Sequence, residues 1–129
     1  MIFTLENFVK GAILGINLLK AKIKNIPLAV NYDLTWQCNL RCKHCYFYAS
    51  AKELSKNSMH NRKELSNVEW IKIFNYHRNL GIRSVALTGG EPTLRMQLLH
   101  EAVKIFPYVQ IASNGIIKLP QFKSRKQPI

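Results

Sequence analysis

The sequence predicts an α/β fold of parallel strand–helix units preceded by an amphipathic helix. Three observations lead there. Beyond residue 28 the apolar period switches repeatedly, giving strand, helix, strand, helix, strand. Cap and turn signals punctuate the switches: Ser66 and Glu69 before one helix, Gly81 after it, and Asn114-Gly115 after the last strand. Polar motifs follow each strand at its carboxyl end, where ligands of parallel α/β folds collect. Such alternation is the mark of right-handed βαβ crossovers.

Taken in order, residues 1–27 form an N-terminal amphipathic helix. Leu5, Phe8, Val9, Ala12, Ile13, Ile16, Leu19 and Ile23 follow i, i+3, i+4 spacing, and Leu14 and Leu18 widen the face. Thr4 suits the cap, Glu6 the first turn, and Lys20, Lys22 and Lys24 the last. Pro27 stops the helix. The apolar run Gly11–Leu19 is far short of the ~20 residues a membrane span needs. The basic residues follow that run, and no small-residue cleavage site is evident, so a signal peptide is not expected. The helix is expected to pack on the body of the domain; lying on a membrane surface is the second reading.

Residues 28–117 carry the strand–helix units. Leu28 to Thr35 alternates as a strand, with Leu28, Val30, Tyr32 and Leu34 on one face. Residues 49–65 are polar and irregular. Ser66-Asn67-Val68-Glu69 is a capping box for a helix to about Leu80, with Ile71, Phe74, His77 and Leu80 among its core candidates. His77 is expected to be a packed or surface histidine and not a ligand. Ser84–Thr88 is a short apolar strand ending in Gly89-Gly90-Glu91-Pro92. Met96 to Phe106 reads as a helix, with Leu98, Leu99, Ala102, Val103 and Phe106 apolar. Val109 to Ser113 is the third strand. Residues 118–129 read as a basic tail.

The chain has 129 residues, 47% of them hydrophobic, which is enough for one domain with a core. Lys plus Arg number 19 against 7 Asp plus Glu, for a net charge of +12. The positive residues are scattered, with no basic block and no interleaved aromatic stripe. They favour a solvated basic surface over a nucleic-acid partner. No G-x-G-x-x-G dinucleotide fingerprint occurs.

All three cysteines, Cys38, Cys42 and Cys45, lie in the loop after the first strand, spaced C-x3-C-x2-C. Three soft thiolates on one loop can converge on a metal centre. Closed structural zinc sites take four protein ligands, and His44, His60 or His77 are the available fourth. A cubane four-iron four-sulfur cluster also prefers four cysteines, so three leave one iron open to a small chelating ligand. Inert buried thiols are the remaining reading. An odd count at this tight spacing argues against a disulfide framework, and free cysteines point to a reducing compartment, the cytoplasm.

Position by position, Cys38, Cys42 and Cys45 resemble the cluster motif of the radical S-adenosylmethionine (radical SAM) superfamily. Gly89-Gly90-Glu91-Pro92 is similar to the family's segment after the second strand, whose backbone holds the methionyl amino group. Asn39-Leu40-Arg41, the same turn and Ser113-Asn114-Gly115 look most like members of cofactor biosynthesis and peptide maturation. The resemblance implies a 4Fe-4S cluster on the three cysteines, its open iron chelated by the methionine end of S-adenosyl-L-methionine. It implies cofactor contacts at His44, Tyr46, Gly89, Gly90, Glu91, Pro92, Ser113 and Asn114. His44 stands where the family usually has an aromatic residue; contacts to adenine there run mainly through the backbone.

The implied reaction is reductive cleavage to methionine and a 5′-deoxyadenosyl radical, which abstracts hydrogen from an unidentified substrate. An electron donor is implied as well. The implied fold is a partial parallel (βα) barrel. At roughly 30 residues per unit, residues 28–117 hold about three βα units of the family's six. The chain reads as a truncated gene product, a natural fragment, or half of a split enzyme whose barrel a partner chain completes; a non-catalytic iron–sulfur or zinc-binding fragment that needs a partner chain is the alternative function.

Overall fold

The computed structural model describes residues 5–45 and 63–122. Helix α1 spans Leu5–Ile23, strand β1 Ala29–Asp33, helix α2 Asn67–Leu80 and strand β2 Ser84–Thr88. A 3₁₀ turn at Pro92–Arg95 leads into helix α3, Met96–Ile105, and strand β3 is Tyr108–Ile111. The strands form one parallel sheet in the order β1-β2-β3. This is the expected α/β architecture: a partial, unclosed parallel sheet with crossover helices, preceded by a helix.

The register gives the sheet two unlike faces. Val30, Val85 and Val109 lie side by side, and so do Tyr32, Leu87 and Ile111. This apolar face receives Phe74 of α2 and Leu98, Leu99, Ala102 and Val103 of α3, all buried. The opposite face carries Asn31, Ala86 and Gln110 in one row and Asp33 and Thr88 in the next. Apart from the exposed Tyr108, which shares a row with Ala29 and Ser84, its residues are short or polar, and none belongs to the buried core.

Aromatic rings fill the space between sheet and α2. Tyr32 meets Phe74 at 5.1 Å and Trp70 at 5.8 Å between ring centroids. Phe106 meets Phe74 edge-on at 5.8 Å. Burial pushes the Tyr32 phenol up to about 12. The hydroxyl therefore stays protonated and shares a hydrogen bond of 2.6 Å with His77 Nδ1. His77 is a packed histidine, as its position on α2 implied.

The caps explain where helices begin and end. Ser66 accepts from the Glu69 amide, while Glu69 accepts from the Ser66 amide at 2.8 Å. Those Ser66 contacts hold the Glu69 carboxyl below its ordinary range. Gly81 takes φ 108, and the Ile82 amide bonds back to His77 O. Helix α1 ends the same way. Asn25 adopts φ 52 and the Ile26 amide reaches Ala21 O, so the stop precedes Pro27. Asparagine is the usual substitute for glycine in this left-handed position.

Four expectations change. β1 begins at Ala29, paired with Ser84; Leu28 lies before the ladder and is 59% exposed. Leu80, in the last turn of α2, is exposed instead of core. β3 starts at Tyr108 and ends at Ile111, because Ser113 and Asn114 turn toward Glu91. Phe122 packs on the core with its ring 5.2 Å from His100, so the start of the expected tail is folded back.

The largest correction concerns α1. Its apolar stripe is open: Leu5, Phe8, Ile13, Ile16, Leu19 and Ile23 are 81, 68, 52, 54, 60 and 75% exposed. The reason lies in the sheet. Its apolar face is already covered by α2 and α3, and its other face is mostly short or polar, so the sheet offers the stripe no broad apolar seat; Leu18 and Ala21, not the stripe, border the cleft with Leu28.

Leu87 is fully buried at the centre of the middle strand. Leu87→Ala should lower stability by about 2–5 kcal/mol in urea denaturation. An unchanged midpoint would mean that this face is not the core.

Candidate functional site

The carboxyl rim of the sheet is assembled from three loops. The first leaves β1 and carries the cysteines. Cys38 and Cys45 are half-buried, Cys42 is exposed, and all three are free thiols. The Leu40 amide points at Cys38 Sγ at 3.4 Å, and the Cys45 amide bonds Cys42 O at 3.2 Å. Arg41 folds over the loop, donating to Cys38 O and Leu40 O. Among the described residues, no three His, Cys, Asp or Glu side chains converge on a metal-sized point. His44 is exposed on this loop, and Tyr46 lies outside the described residues.

The second loop leaves β2. The Gly90 amide donates to Thr35 O at 2.7 Å and the Glu91 amide to Gln37 O at 2.8 Å. The turn thus continues the β1–β2 ladder into the root of the cysteine loop. A Cβ on Gly90 would stand 2.2 Å from Gln37 O. One on Gly89, at φ 126, would stand 2.6 Å from Thr35 O. The missing side chains therefore admit backbone, not ligand. The close approach that glycine permits at both positions is between two loops of the chain itself.

Glu91 is 1% exposed. Its Oε1 accepts from the Thr93 amide at 3.0 Å, Thr93 Oγ1 at 2.5 Å and Ser113 Oγ at 2.9 Å. Its Oε2 accepts from the Asn114 amide at 2.9 Å. Burial alone pushes this carboxyl up. The Asn114 and Thr93 amides and the two hydroxyls outweigh it and hold the group below its ordinary range. The carboxylate is thus engaged inside the protein, ties the β2 exit to the β3 exit and caps the 3₁₀ turn. Pro92, the first residue of that turn, is buried beside it.

The third loop closes the circle. Asn114 Nδ2 donates to Asn39 Oδ1 at 2.8 Å and stands 4.0 Å from Cys38 Sγ. The Ser113 hydroxyl accepts from the Gly115 amide while donating to Glu91. The structure therefore brings together Cys38, Gly89, Gly90, Glu91, Ser113 and Asn114, and leaves His44 at the edge.

Sequence reasoning missed the clamp beneath the cysteine loop. Glu64 Oε1 accepts from Thr35 Oγ1 and the Trp36 amide, both at 2.8 Å. Glu64 Oε2 pairs with Arg95 Nη1 at 3.0 Å, and Arg95 also holds Asn67 Oδ1 and Leu65 O. These residues come from a polar stretch and a turn lying 31 positions apart. No local pattern announces such a pair.

Comparison with known proteins agrees with this geometry. The profile of the Radical SAM superfamily matches residues 32–122. A probable GTP 3′,8-cyclase of Methanopyrus kandleri is 31% identical over 91 residues, covering 69% of this chain and 27% of that protein. A PqqA peptide cyclase of Rhodopseudomonas palustris is 30% identical over 100 residues, covering 75% and 25%. A probable GTP 3′,8-cyclase of Thermococcus kodakarensis is 41% identical over 86 residues, covering 64% and 26%. The chain spans about a quarter of the length of the curated relatives it matches. The matched segment runs past residue 117 to include Phe122.

Two predictions follow from the rim. The Glu91 carboxyl is depressed in the folded state, so its stabilisation is present above the ordinary value of 4.5 and fades as pH falls below it. Glu91→Gln should therefore be clearly less stable than the parent at pH 7, with the gap narrowing below pH 4.5. Parallel urea midpoints across that range would remove the carboxylate from this role. Separately, Gly90→Ala must displace residues 36 and 37, and overpacking of this kind costs about 1–3 kcal/mol. Thermal melting checks it; a neutral substitution would mean the turn has slack.

Proposed function

The chain belongs to the radical SAM superfamily, and we propose that it holds a four-iron four-sulfur cluster on Cys38, Cys42 and Cys45 and binds S-adenosylmethionine beside it. The observation that carries the reading is the rim itself. The cysteine loop, the Gly-Gly turn and the Ser113-Asn114 turn are hydrogen-bonded into one ring around the ends of three parallel strands.

The donor set suits such a cluster in kind and number. Three free thiols share one loop, and N–H groups of Leu40 and Asn114 face the sulfur of Cys38. Donors of that sort orient a ligating sulfur. Three thiolates leave one iron for an exogenous amine and carboxylate. When bound, the cluster supplies the electron that cleaves S-adenosylmethionine reductively.

The protein's part is to position. Glu64 and Arg95 fasten Thr35 and Trp36, so the cysteine loop leaves β1 from a fixed point. The Gly90 and Glu91 amides fix that loop against the second turn. Glu91 fixes the second turn against the third. The polar face with Asn31, Asp33, Thr88 and Gln110 offers hydrogen-bonding groups without bulk alongside the rim. His44 and Tyr46 are proposed to border the adenine through their backbone.

The named relatives are cyclases of unlike substrates, GTP and the PqqA peptide. A segment shared with both suits the chemistry they hold in common. We therefore assign this segment to cofactor binding and leave the substrate class open.

Anaerobic reconstitution should give about four iron and four sulfide per chain. Cys38→Ala, Cys42→Ala and Cys45→Ala should each abolish the cluster absorption while the far-ultraviolet spectrum stays unchanged. Equilibrium dialysis of the loaded chain should show S-adenosylmethionine binding, and dithionite should release methionine. Stoichiometric zinc without iron–sulfur absorption would overturn the cluster. Cluster and binding without methionine release would select the non-catalytic alternative.

A further inference from the structure

We propose that α1 is an interfacial helix that seats the protein on an anionic membrane surface. This goes beyond the cluster reading and does not depend on it. The argument starts from which side of α1 faces the body. Asn17, Leu18 and Ala21 border a shallow cleft together with Pro27, Leu28 and Arg83. At 3.6 residues per turn, these three lie on the side opposite Ile16, Leu19 and Ile23. The stripe Leu5, Phe8, Val9, Ile13, Ile16, Leu19, Ile23 consequently faces outward, and every one of its members is exposed. A continuous apolar stripe of this length on a solvent-facing helix requires a covering surface.

Charge selects the cover. Helix α1 contains one acid, Glu6, against Lys10, Lys20 and Lys22, and Lys24 follows directly. Lys20 stands one turn beyond Ile16, and Lys22 lies three positions beyond Leu19. The stripe is thereby flanked on both sides by exposed ammonium groups at its carboxyl end. Apolar residues on one side with lysines along the borders are the pattern of a helix lying in the headgroup region. A second copy of a chain with net charge +12 is repelled, whereas anionic lipid is attracted.

Two further facts agree. No described helix is long and apolar enough to cross a membrane, so α1 would lie on the surface instead of spanning it. Gly11 and Gly15 sit in α1 with nothing within 4 Å of an added Cβ. Neither serves a close approach, and each weakens the helix. A helix this poor in intrinsic stability gains most from a surface to fold against.

The test uses the full chain and sedimentation with vesicles. Vesicles of phosphatidylcholine and phosphatidylglycerol should bind it; phosphatidylcholine alone should bind at least about tenfold less, and added salt should weaken binding. Ile16→Glu should reduce binding about tenfold or more without changing the thermal melt, because Ile16 is already exposed. The triple replacement of Lys20, Lys22 and Lys24 by Gln leaves the stripe intact and should lower binding to anionic vesicles by a similar factor. It decides the matter if Ile16→Glu fails to fold. Absence of binding by the parent at low salt would overturn the proposal, as would equal binding by a folded Ile16→Glu chain. Self-association abolished by Ile16→Glu, with no vesicle binding, would make a second copy the occupant and overturn it too.

Discussion

Everything at the carboxyl rim depends on two loop backbones approaching closer than any side chain would allow. Gly89 and Gly90 let the exit of β2 lie against residues 34–37, and the amides of Gly90 and Glu91 then extend the β1–β2 ladder past the end of the sheet. That approach decides where the cysteine loop starts. Once it is made, the side chain of Glu91 is forced inward. There its carboxylate must find donors or become neutral. It finds four, from Thr93, Ser113 and Asn114, all uncharged. A buried anion satisfied only by neutral donors fixes geometry well, because each donor has one direction to point. The three loops are thus set by one backbone contact and one carboxylate.

The fold was legible because its signals are local. Alternation marks strands within five residues, and the Ser66 capping box and Gly81 bracket α2. The cysteine spacing and the Gly-Gly-Glu-Pro turn placed the rim correctly. What the sequence concealed is long-range. Glu64 and Arg95 pair across 31 positions, and nothing in a polar stretch distinguishes a clamping glutamate from a solvated one. Glu91 stands in the turn that the resemblance assigns to cofactor contact. Its burial is visible only once β3 is placed beside β2. The stop of α1 was misplaced by two residues' worth of chemistry, since Asn25 at φ 52 ends the helix before Pro27 can.

The misjudged packing of α1 has a different origin. Periodicity reports that a helix has an apolar face; it does not report whether an apolar surface is vacant. In this sheet the vacancy is absent. The strands put Val30, Tyr32, Val85, Leu87 and Val109 on the side of α2 and α3. The other side, Tyr108 apart, is short or polar, which denies the stripe of α1 a seat. The same division therefore explains both the open polar face and the stranded helix.

The strands also separate the two surfaces. Helix α1 leads through Pro27 into the amino end of β1, and the cysteine loop leaves its carboxyl end. Five residues of strand lie between them, a rise of about 16 Å. A lipid surface under α1 would accordingly meet the amino side of the sheet, while the rim of Cys38, Glu91 and Asn114 remains on the far side. Docking and cofactor access then make no competing demand on the same residues. A charge placed on Ile16 can weaken one without reaching the hydrogen bonds that hold the other.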